Sequence, residues 1–139
     1  MKKSYIKDNI IYSTYEPIWK VILLSFITLT FYNYYWFYLN LRFIKYEKNM
    51  DISPLLMAIS MGIPVINLFT SYFLFKNINF IIQKKENSFD VNAAILSMVF
   101  CLLAFTSHFE EPYFFIAAFS WMPLIIAQKE LNSFFRKGF

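Results

Sequence analysis

The feature that most constrains the fold is the uncharged run at residues 21–41, which separates Lys20 from Arg42. As one helix its 21 residues would rise about 1.5 Å each, roughly the 30 Å of a bilayer's hydrocarbon core. The second half of the run is rich in Tyr and Trp, whose rings prefer the boundary between lipid tails and headgroups. The run therefore predicts a transmembrane helix with one end at a membrane interface.

Three further apolar runs follow along the chain. Residues 52–75 give 24 uncharged positions, residues 91–109 give 19, and residues 112–128 give 17. Of the 139 residues 58% are hydrophobic and only 16% are charged, which is too little polar surface to cover a soluble core. We therefore predict an all-α, integral membrane fold. It is a single domain of about four transmembrane helices in two hairpins, with spans at about 18–41, 53–75, 91–109 and 112–128.

Prolines and capping residues indicate where these helices begin and bend. Ser53–Pro54 is a helix start, with Ser as N-cap and Pro in the first turn. Gly62 and Pro64 lie inside the second run and predict a kink there, and Pro123 interrupts the fourth run. The tail at 129–139 mixes apolar rings with basic residues, which predicts an anchor at an anionic lipid surface.

The distribution of Lys and Arg predicts the orientation in the membrane. If four helices span, ten of these residues lie on the side of both termini, and three, at 42, 45 and 48, lie on the other side. Basic loops stay on the cytoplasmic side. We therefore predict a multi-pass protein of the cell membrane with both termini cytoplasmic and the Glu110–Glu111 turn outside. This arrangement would place the basic segment at 42–48 outside.

Residues 24–40 read LSFITLTFYNYYWFYLN. This stretch resembles the first-helix signature of a family of small bacterial multi-pass membrane proteins of unknown function, roughly L-S-x-x-T-x-G-x-Y-x-x-Y-W-x-Y-x-N. The matching positions are Leu24, Ser25, Thr28, Tyr32, Tyr35, Trp36, Tyr38 and Asn40. Similar stretches extend the resemblance over residues 17–82. The resemblance implies a bacterial cytoplasmic membrane protein and supplies neither an activity nor site residues.

Polar side chains and rings gather on one side of the predicted first helix. At 100° per residue the hydroxyls and several aromatic rings share a face, while the opposite face suits lipid. Polar faces in membrane bundles serve interhelical hydrogen bonding, and the same groups could line a groove for a ligand or partner. The predicted partner-facing residues are Ser25, Thr28, Tyr32, Tyr35, Trp36 and Asn40.

The nucleophilic, acid–base and metal-ligating side chains of the sequence do not predict an enzyme. The chain contains no P-loop, no glycine-rich dinucleotide motif, no G-x-S-x-G and no H-E-x-x-H. His108, Glu110 and Glu111 form an incomplete metal site near water. Cys101 lies in a stripe of small residues on the third helix, which indicates helix packing rather than a nucleophile. We therefore predict no catalytic, cofactor-binding or metal site.

These patterns favour a non-catalytic function, as a membrane interaction or regulatory module. The expected partners are the lipid bilayer and either a membrane protein or a second copy of the chain. Nucleic acid is not expected, because the basic residues fall in short clusters beside the apolar runs. The alternative is a small transporter or channel component, lined by Thr28, Asn33, Asn67 and Ser71. A lipid-active enzyme using His108 with Glu110 or Glu111 is a third alternative.

Overall fold

The computed structural model describes residues 5–7, 10–12, 15–28, 31–83 and 92–137. Within these ranges the chain is a helical bundle, and it has six α-helices where about four were predicted. They are α1 (Ile18–Ile27), α2 (Phe31–Glu47), α3 (Pro54–Ser60), α4 (Pro64–Gln83), α5 (Ala93–Phe105) and α6 (Trp121–Lys137). Two 3₁₀ helices, Thr106–His108 and Tyr113–Ser120, connect α5 to α6. Near the N-terminus, strands β1 (Tyr5–Lys7) and β2 (Ile10–Tyr12) pair antiparallel, with Tyr5 opposite Tyr12.

The structure has two helices where one was predicted at 18–41. α1 ends at Ile27 and α2 begins at Phe31. The Thr28 hydroxyl donates a hydrogen bond to the Leu24 carbonyl oxygen (2.7 Å) and accepts one from the backbone N–H of Tyr32 (2.9 Å). Thr28 thus satisfies one backbone group at the end of α1 and one at the start of α2, as Ser and Thr commonly do where helices are interrupted.

The chain reverses direction between α1 and α2. The Asn132 side chain donates to the Glu16 carbonyl oxygen (2.7 Å), and the Trp36 indole N–H donates to Gln128 (2.6 Å). A continuous helix would separate residues 16 and 36 by about 30 Å, whereas positions 128 and 132 are about 6 Å apart along α6. Both pairs of contacts are satisfied only because α1 and α2 form an antiparallel hairpin.

The predicted kink in the second run is also a full reversal. The ammonium of Lys45 donates to the Ile52 carbonyl oxygen (2.8 Å), and that of Lys48 donates to the Asn77 side chain (2.6 Å). A straight helix would separate residues 52 and 77 by about 38 Å, yet both contact neighbouring lysines of α2. Pro64 is the first residue of α4, a position where its missing N–H costs nothing. The predicted helix start at Ser53–Pro54 is confirmed.

The third hairpin joins α5 to α6. Asn92 caps α5 by accepting the backbone N–H of Ala94 (3.0 Å), and the predicted first residue of this span, Val91, lies outside the described residues. Pro123 falls in the first turn of α6 and does not interrupt it. The prediction of a surface anchor in the tail is wrong, because Leu131, Phe134 and Phe135 are buried in the core.

The helices alternate in direction, so the bundle has two distinct ends. Contacts of Asn33 with Ser120 and of Phe43 with Phe134 show that α2 and α6 run parallel. We call the end with the three reversals, which follow α1, α3 and α5, the hairpin end. The opposite end, where α2 ends between Lys45 and Lys48, is the basic end.

Apolar side chains lie both in the interior and on the outer surface of the bundle. Between them, α2, α4 and α5 enclose the Phe37 ring, whose centroid lies 5.0 Å from that of Phe100 and 6.1 Å from that of Phe75. Most exposed large apolar side chains lie nearer the hairpin end than the basic end, for example from Val65 to Tyr72 on α4. Within the described residues, α4 is the one helix both long and apolar enough to cross a bilayer.

Candidate functional site

A chain of buried hydrogen bonds links α2, α6 and the segment before α1. The Trp36 indole donates to Gln128 Oε1 (2.6 Å), and Gln128 Nε2 donates to Asn132 Oδ1 (2.8 Å). Asn132 in turn pairs with both backbone groups of Glu16. Neither Gln128 nor Asn132 was predicted as a site residue, although two amides at i, i+4 at the end of an apolar run are a recognisable signal for a polar stripe facing a neighbouring helix.

A second buried group joins α1, α2 and the 3₁₀ helix before α6. The Asn33 amide donates to Ser120 Oγ (2.7 Å), and Ser25 Oγ donates to Asn33 Oδ1 (3.4 Å). All three side chains are buried. The Asn33–Ser120 bond joins the first hairpin to the third, and the Ser25–Asn33 bond joins α1 to α2 within the first hairpin.

The predicted partner-facing residues mostly face the chain's own helices. Ser25, Tyr32, Trp36 and Asn40 are buried inside the bundle, and a separate partner could reach them only if the bundle opened. The Thr28 hydroxyl is hydrogen-bonded to backbone groups of Leu24 and Tyr32. Tyr35 is 51% exposed. The predicted face assumed one continuous helix; the break after Thr28 changes which residues of α2 point inward, and Asn33 and Phe37 take the place of Tyr35.

A cavity of about 80 Å³ lies at the hairpin end, between α2, the turn before α4, and α5 with its 3₁₀ extension. Its polar lining includes Asn33, Tyr34, Asn67, Ser107 and His108. Asn67 is only 7% exposed, and its side-chain oxygen has no hydrogen-bond partner. A buried polar atom without a partner costs about 1–3 kcal/mol. Asn67 therefore adds an unsatisfied acceptor to the bundle interior beside the cavity.

An apolar groove of about 420 Å³ lies beside this cavity, between α4 and α5. Pro64, Val65 and Leu68 of α4 line one side. On α5 the lining residues are Met98, Cys101, Leu102 and Phe105. Pro64, Cys101 and Phe105 also line the cavity, so the two spaces share a boundary.

The basic end carries a different groove, of about 370 Å³, between α2 and the start of α3. Arg42 and Lys45 line it together with Tyr38, Tyr46 and Ser53. Lys48 and Arg136 contact residues of the same end, and Lys20 pairs with Glu16 beside it. Lys76 lies instead over the Tyr72 ring of α4, and Lys129 follows Gln128, which contacts Trp36 in the middle of the bundle. This end of the molecule is therefore suited to an anionic surface.

The predicted ionisable cluster is divided by the structure. His108 lies in the cavity wall, with its ring 5.8 Å from that of Phe105. Glu110 and Glu111 lie on the exposed turn. Among the residues that the structure describes, no three His, Cys, Asp or Glu side chains come together in a way that could hold a metal ion. The absence of a catalytic, cofactor or metal site stays a prediction.

No protein-family model matches the sequence, and no curated protein or solved structure is significantly similar to it. The resemblance at residues 24–40 to small bacterial membrane proteins therefore stays a prediction.

Proposed function

We propose that the chain is a multi-pass protein of the cell membrane and acts as a non-catalytic interaction module. The observation that carries this proposal is the separation of its surfaces. Large exposed apolar side chains concentrate toward the hairpin end, and Arg42, Lys45, Lys48 and Arg136 lie at the opposite end. Exposed apolar surface on this scale is a mark of contact with lipid or another protein.

The reversal after α1 supports the predicted orientation. A four-helix arrangement would leave Arg42, Lys45 and Lys48 on the outside, against the rule that basic loops stay in the cytoplasm. In the bundle, α2 returns these residues to the end that also holds Glu16 and Arg136. Cytoplasmic termini with the Glu110–Glu111 turn outside then satisfy the rule for Arg42, Lys45, Lys48 and Arg136.

The outer face of α4 and α5 is the surface we propose for a partner. Val65, Leu68 and Phe69 on α4 and Met98 and Leu102 on α5 are all exposed. A membrane-protein partner or a second copy would meet this face by helix packing, because lipid itself gives no hydrophobic drive for association.

The transporter alternative has less support. Of its predicted path residues, Thr28 and Ser71 donate to their own helix backbone, at 2.7 Å and 2.8 Å. Asn33 is bonded to Ser25 and Ser120. These side chains contribute to holding the bundle together and have little capacity left for a moving solute.

Membrane embedding is tested by extracting native membranes with alkaline carbonate and by floating the purified protein with vesicles of phosphatidylglycerol and phosphatidylethanolamine. We expect the chain to stay with the lipid in both assays. Release by carbonate together with failure to float would refute the proposal.

The interaction face is tested with a photoreactive phenylalanine analogue placed at Phe69 or Leu102, with Phe26 on the exposed side of α1 as the matched control. We expect one discrete protein adduct, with a second copy or another membrane protein, from Phe69 and Leu102, and only lipid adducts from Phe26. Lipid adducts alone at all three positions would refute the interaction module.

A further inference from the structure

We propose that the groove at the basic end, between α2 and the start of α3, binds the phosphate head of an anionic phospholipid. The acyl chains of this lipid would lie along the exposed side of α3, toward the hairpin end. The site is separate from the face of α4 and α5 assigned to a protein partner. It rests on the proposed function only in that a surrounding membrane supplies the lipid.

The α2 wall of the groove collects cations and hydroxyl groups. Tyr38, Arg42, Lys45 and Tyr46 line it, and their three- and four-residue spacings place them on one face of the helix. All four side chains are half-buried. Among the residues that the structure describes, no Asp or Glu lines the groove. Its wall is therefore complementary in charge to an anionic ligand.

The hydrogen-bond donors of the groove suit a phosphate group. The Arg42 guanidinium is a planar fork of N–H donors, a geometry that matches two phosphate oxygens. The Lys45 ammonium has three donors, and its bond to the Ile52 carbonyl oxygen (2.8 Å) uses one of them and holds it beside α3. On the α3 side, the Ser53 hydroxyl lines the groove and makes no capping hydrogen bond. Donors for a phosphate are therefore present on both walls.

The charge of the lining selects the class of lipid. A phosphatidylglycerol head carries one negative charge, which Arg42 and Lys45 can neutralise. A phosphatidylcholine head adds a quaternary ammonium, which would lie near the same two cations with no carboxylate of the described lining beside it. The groove volume of about 370 Å³ is within the roughly 300–1,000 Å³ of small-molecule sites. The groove therefore favours an anionic head over a zwitterionic one.

The surface of α3 accounts for the acyl chains. Leu55 lines the groove and is exposed, and Leu56 and Ile59 continue the exposed apolar surface along the helix. Since α3 begins at the groove and ends at the hairpin end, a lipid with its head in the groove has its chains directed away from the basic end. In the proposed orientation this is the direction of a lipid in the cytoplasmic leaflet, whose anionic headgroups attract basic segments.

Native mass spectrometry of the full chain in dodecylmaltoside micelles measures the binding. The probe is dioleoylphosphatidylglycerol, and the readout is the Kd of the first lipid adduct. Dioleoylphosphatidylcholine, which has the same chains and the same phosphate, is the matched lipid. We expect phosphatidylglycerol to bind at least about fivefold more tightly, as one favourable charge near a basic site implies. Equal Kd values for the two lipids on the unmodified chain would overturn the proposal whether or not any variant folds.

Point variants assign the selectivity to the groove. Arg42→Gln and Lys45→Gln should each weaken phosphatidylglycerol binding about fivefold. Arg136→Gln is the matched control, because Arg136 is an exposed cation of the same end that does not line the groove; it should change the Kd less than about twofold, since salt screens a distant charge. Leu55→Ser removes an exposed apolar side chain at the groove and should weaken binding about threefold through lost chain contact.

The remaining outcomes overturn the proposal or part of it. Equal effects of Arg42→Gln and Arg136→Gln would mean that the lipid responds to overall charge, which would eliminate the groove as its site. An unchanged Kd in Leu55→Ser would eliminate the chain contact. Glycerol 1-phosphate should form no adduct at the Kd of the lipid, and an adduct of equal affinity would make free phosphate the ligand.

Failure of this proposal is distinguishable from failure of the proposed function. Micelles replace the bilayer in the binding measurement, so a failure of the flotation assay would refute membrane embedding separately. Loss of lipid selectivity in a chain that floats with vesicles would overturn the groove site alone.

Discussion

The hydrogen bond between Trp36 and Gln128 is expected to contribute measurably to folding. Both side chains are fully buried, and the bond joins α2 to α6 at 2.6 Å. Gln128→Met keeps the length of the side chain and removes the acceptor. An indole N–H left unpaired in a core costs about 1–3 kcal/mol, while interhelical bonds in membrane proteins average about 0.6 and reach about 1.7 kcal/mol. We expect a coupling of about 1–1.5 kcal/mol between the two side chains.

A double-mutant cycle measures this coupling. Trp36→Phe and Gln128→Met are compared singly and together, so that the volume lost at Trp36 cancels and the pairwise contribution remains. The free energy of unfolding is obtained from SDS titrations of dodecylmaltoside micelles, followed by far-UV circular dichroism because Trp fluorescence changes with the substitution. Gln128→Met combined with Leu102→Ala, an exposed site on α5, is the control cycle and should be additive. A Trp36–Gln128 coupling below about 0.3 kcal/mol, within the error of additivity, would refute the role of this bond in holding α2 against α6.

Three further predictions follow from the bundle. Cys101→Phe should lower the free energy of unfolding by about 1–3 kcal/mol through overpacking, because the Cys101 sulfur lies 3.5 Å from the Ser71 hydroxyl of α4. The control Leu102→Phe should change this free energy little, and equal effects of the two variants in the SDS titration would contradict the packing of α5 on α4. Alkaline phosphatase fused after Glu111 should be active and fused after Lys48 inactive, and activity after Lys48 would contradict the reversal of α1 on α2. Tyr35→Leu should leave the melting temperature nearly unchanged because its ring is half exposed, and a large loss of thermal stability would mean that this face of α2 is covered.

The local features of the fold were predictable because they depend on neighbouring residues. The start of α3 at Ser53–Pro54 was predicted from capping, and the helical bundle from the long apolar runs. The position of the turn at Gly62–Pro64 was predicted correctly, but a kink was expected where the chain reverses direction. A proline indicates where a helix breaks and does not indicate the angle between the segments on either side. The reversal at Thr28 was missed, because a single Thr within an apolar run is compatible with a helix interior.

The candidate site was less predictable than the fold. Asn67 was identified as one polar residue of a possible path, but the cavity that it lines needs α2, α4 and α5 to meet at one end. Trp36 and Asn40, which were predicted to face a partner, are buried among helices of the same chain. Gln128, which accepts the hydrogen bond of the Trp36 indole, lies 92 positions further along the chain, whereas the Asn40 amide donates to the Trp36 carbonyl oxygen of its own helix.

The sequence alone determines that this chain is helical, strongly apolar and divided into basic and uncharged stretches. Only the tertiary structure decides that the first two runs each fold back on themselves. The physical reason is that an apolar run has the same composition whether it forms one long helix or a helical hairpin. The choice depends on contacts between distant residues, here Glu16 with Asn132, Trp36 with Gln128 and Lys48 with Asn77. Those contacts place Arg42, Lys45, Lys48 and Arg136 at one end of the bundle and most of the described exposed apolar surface toward the other.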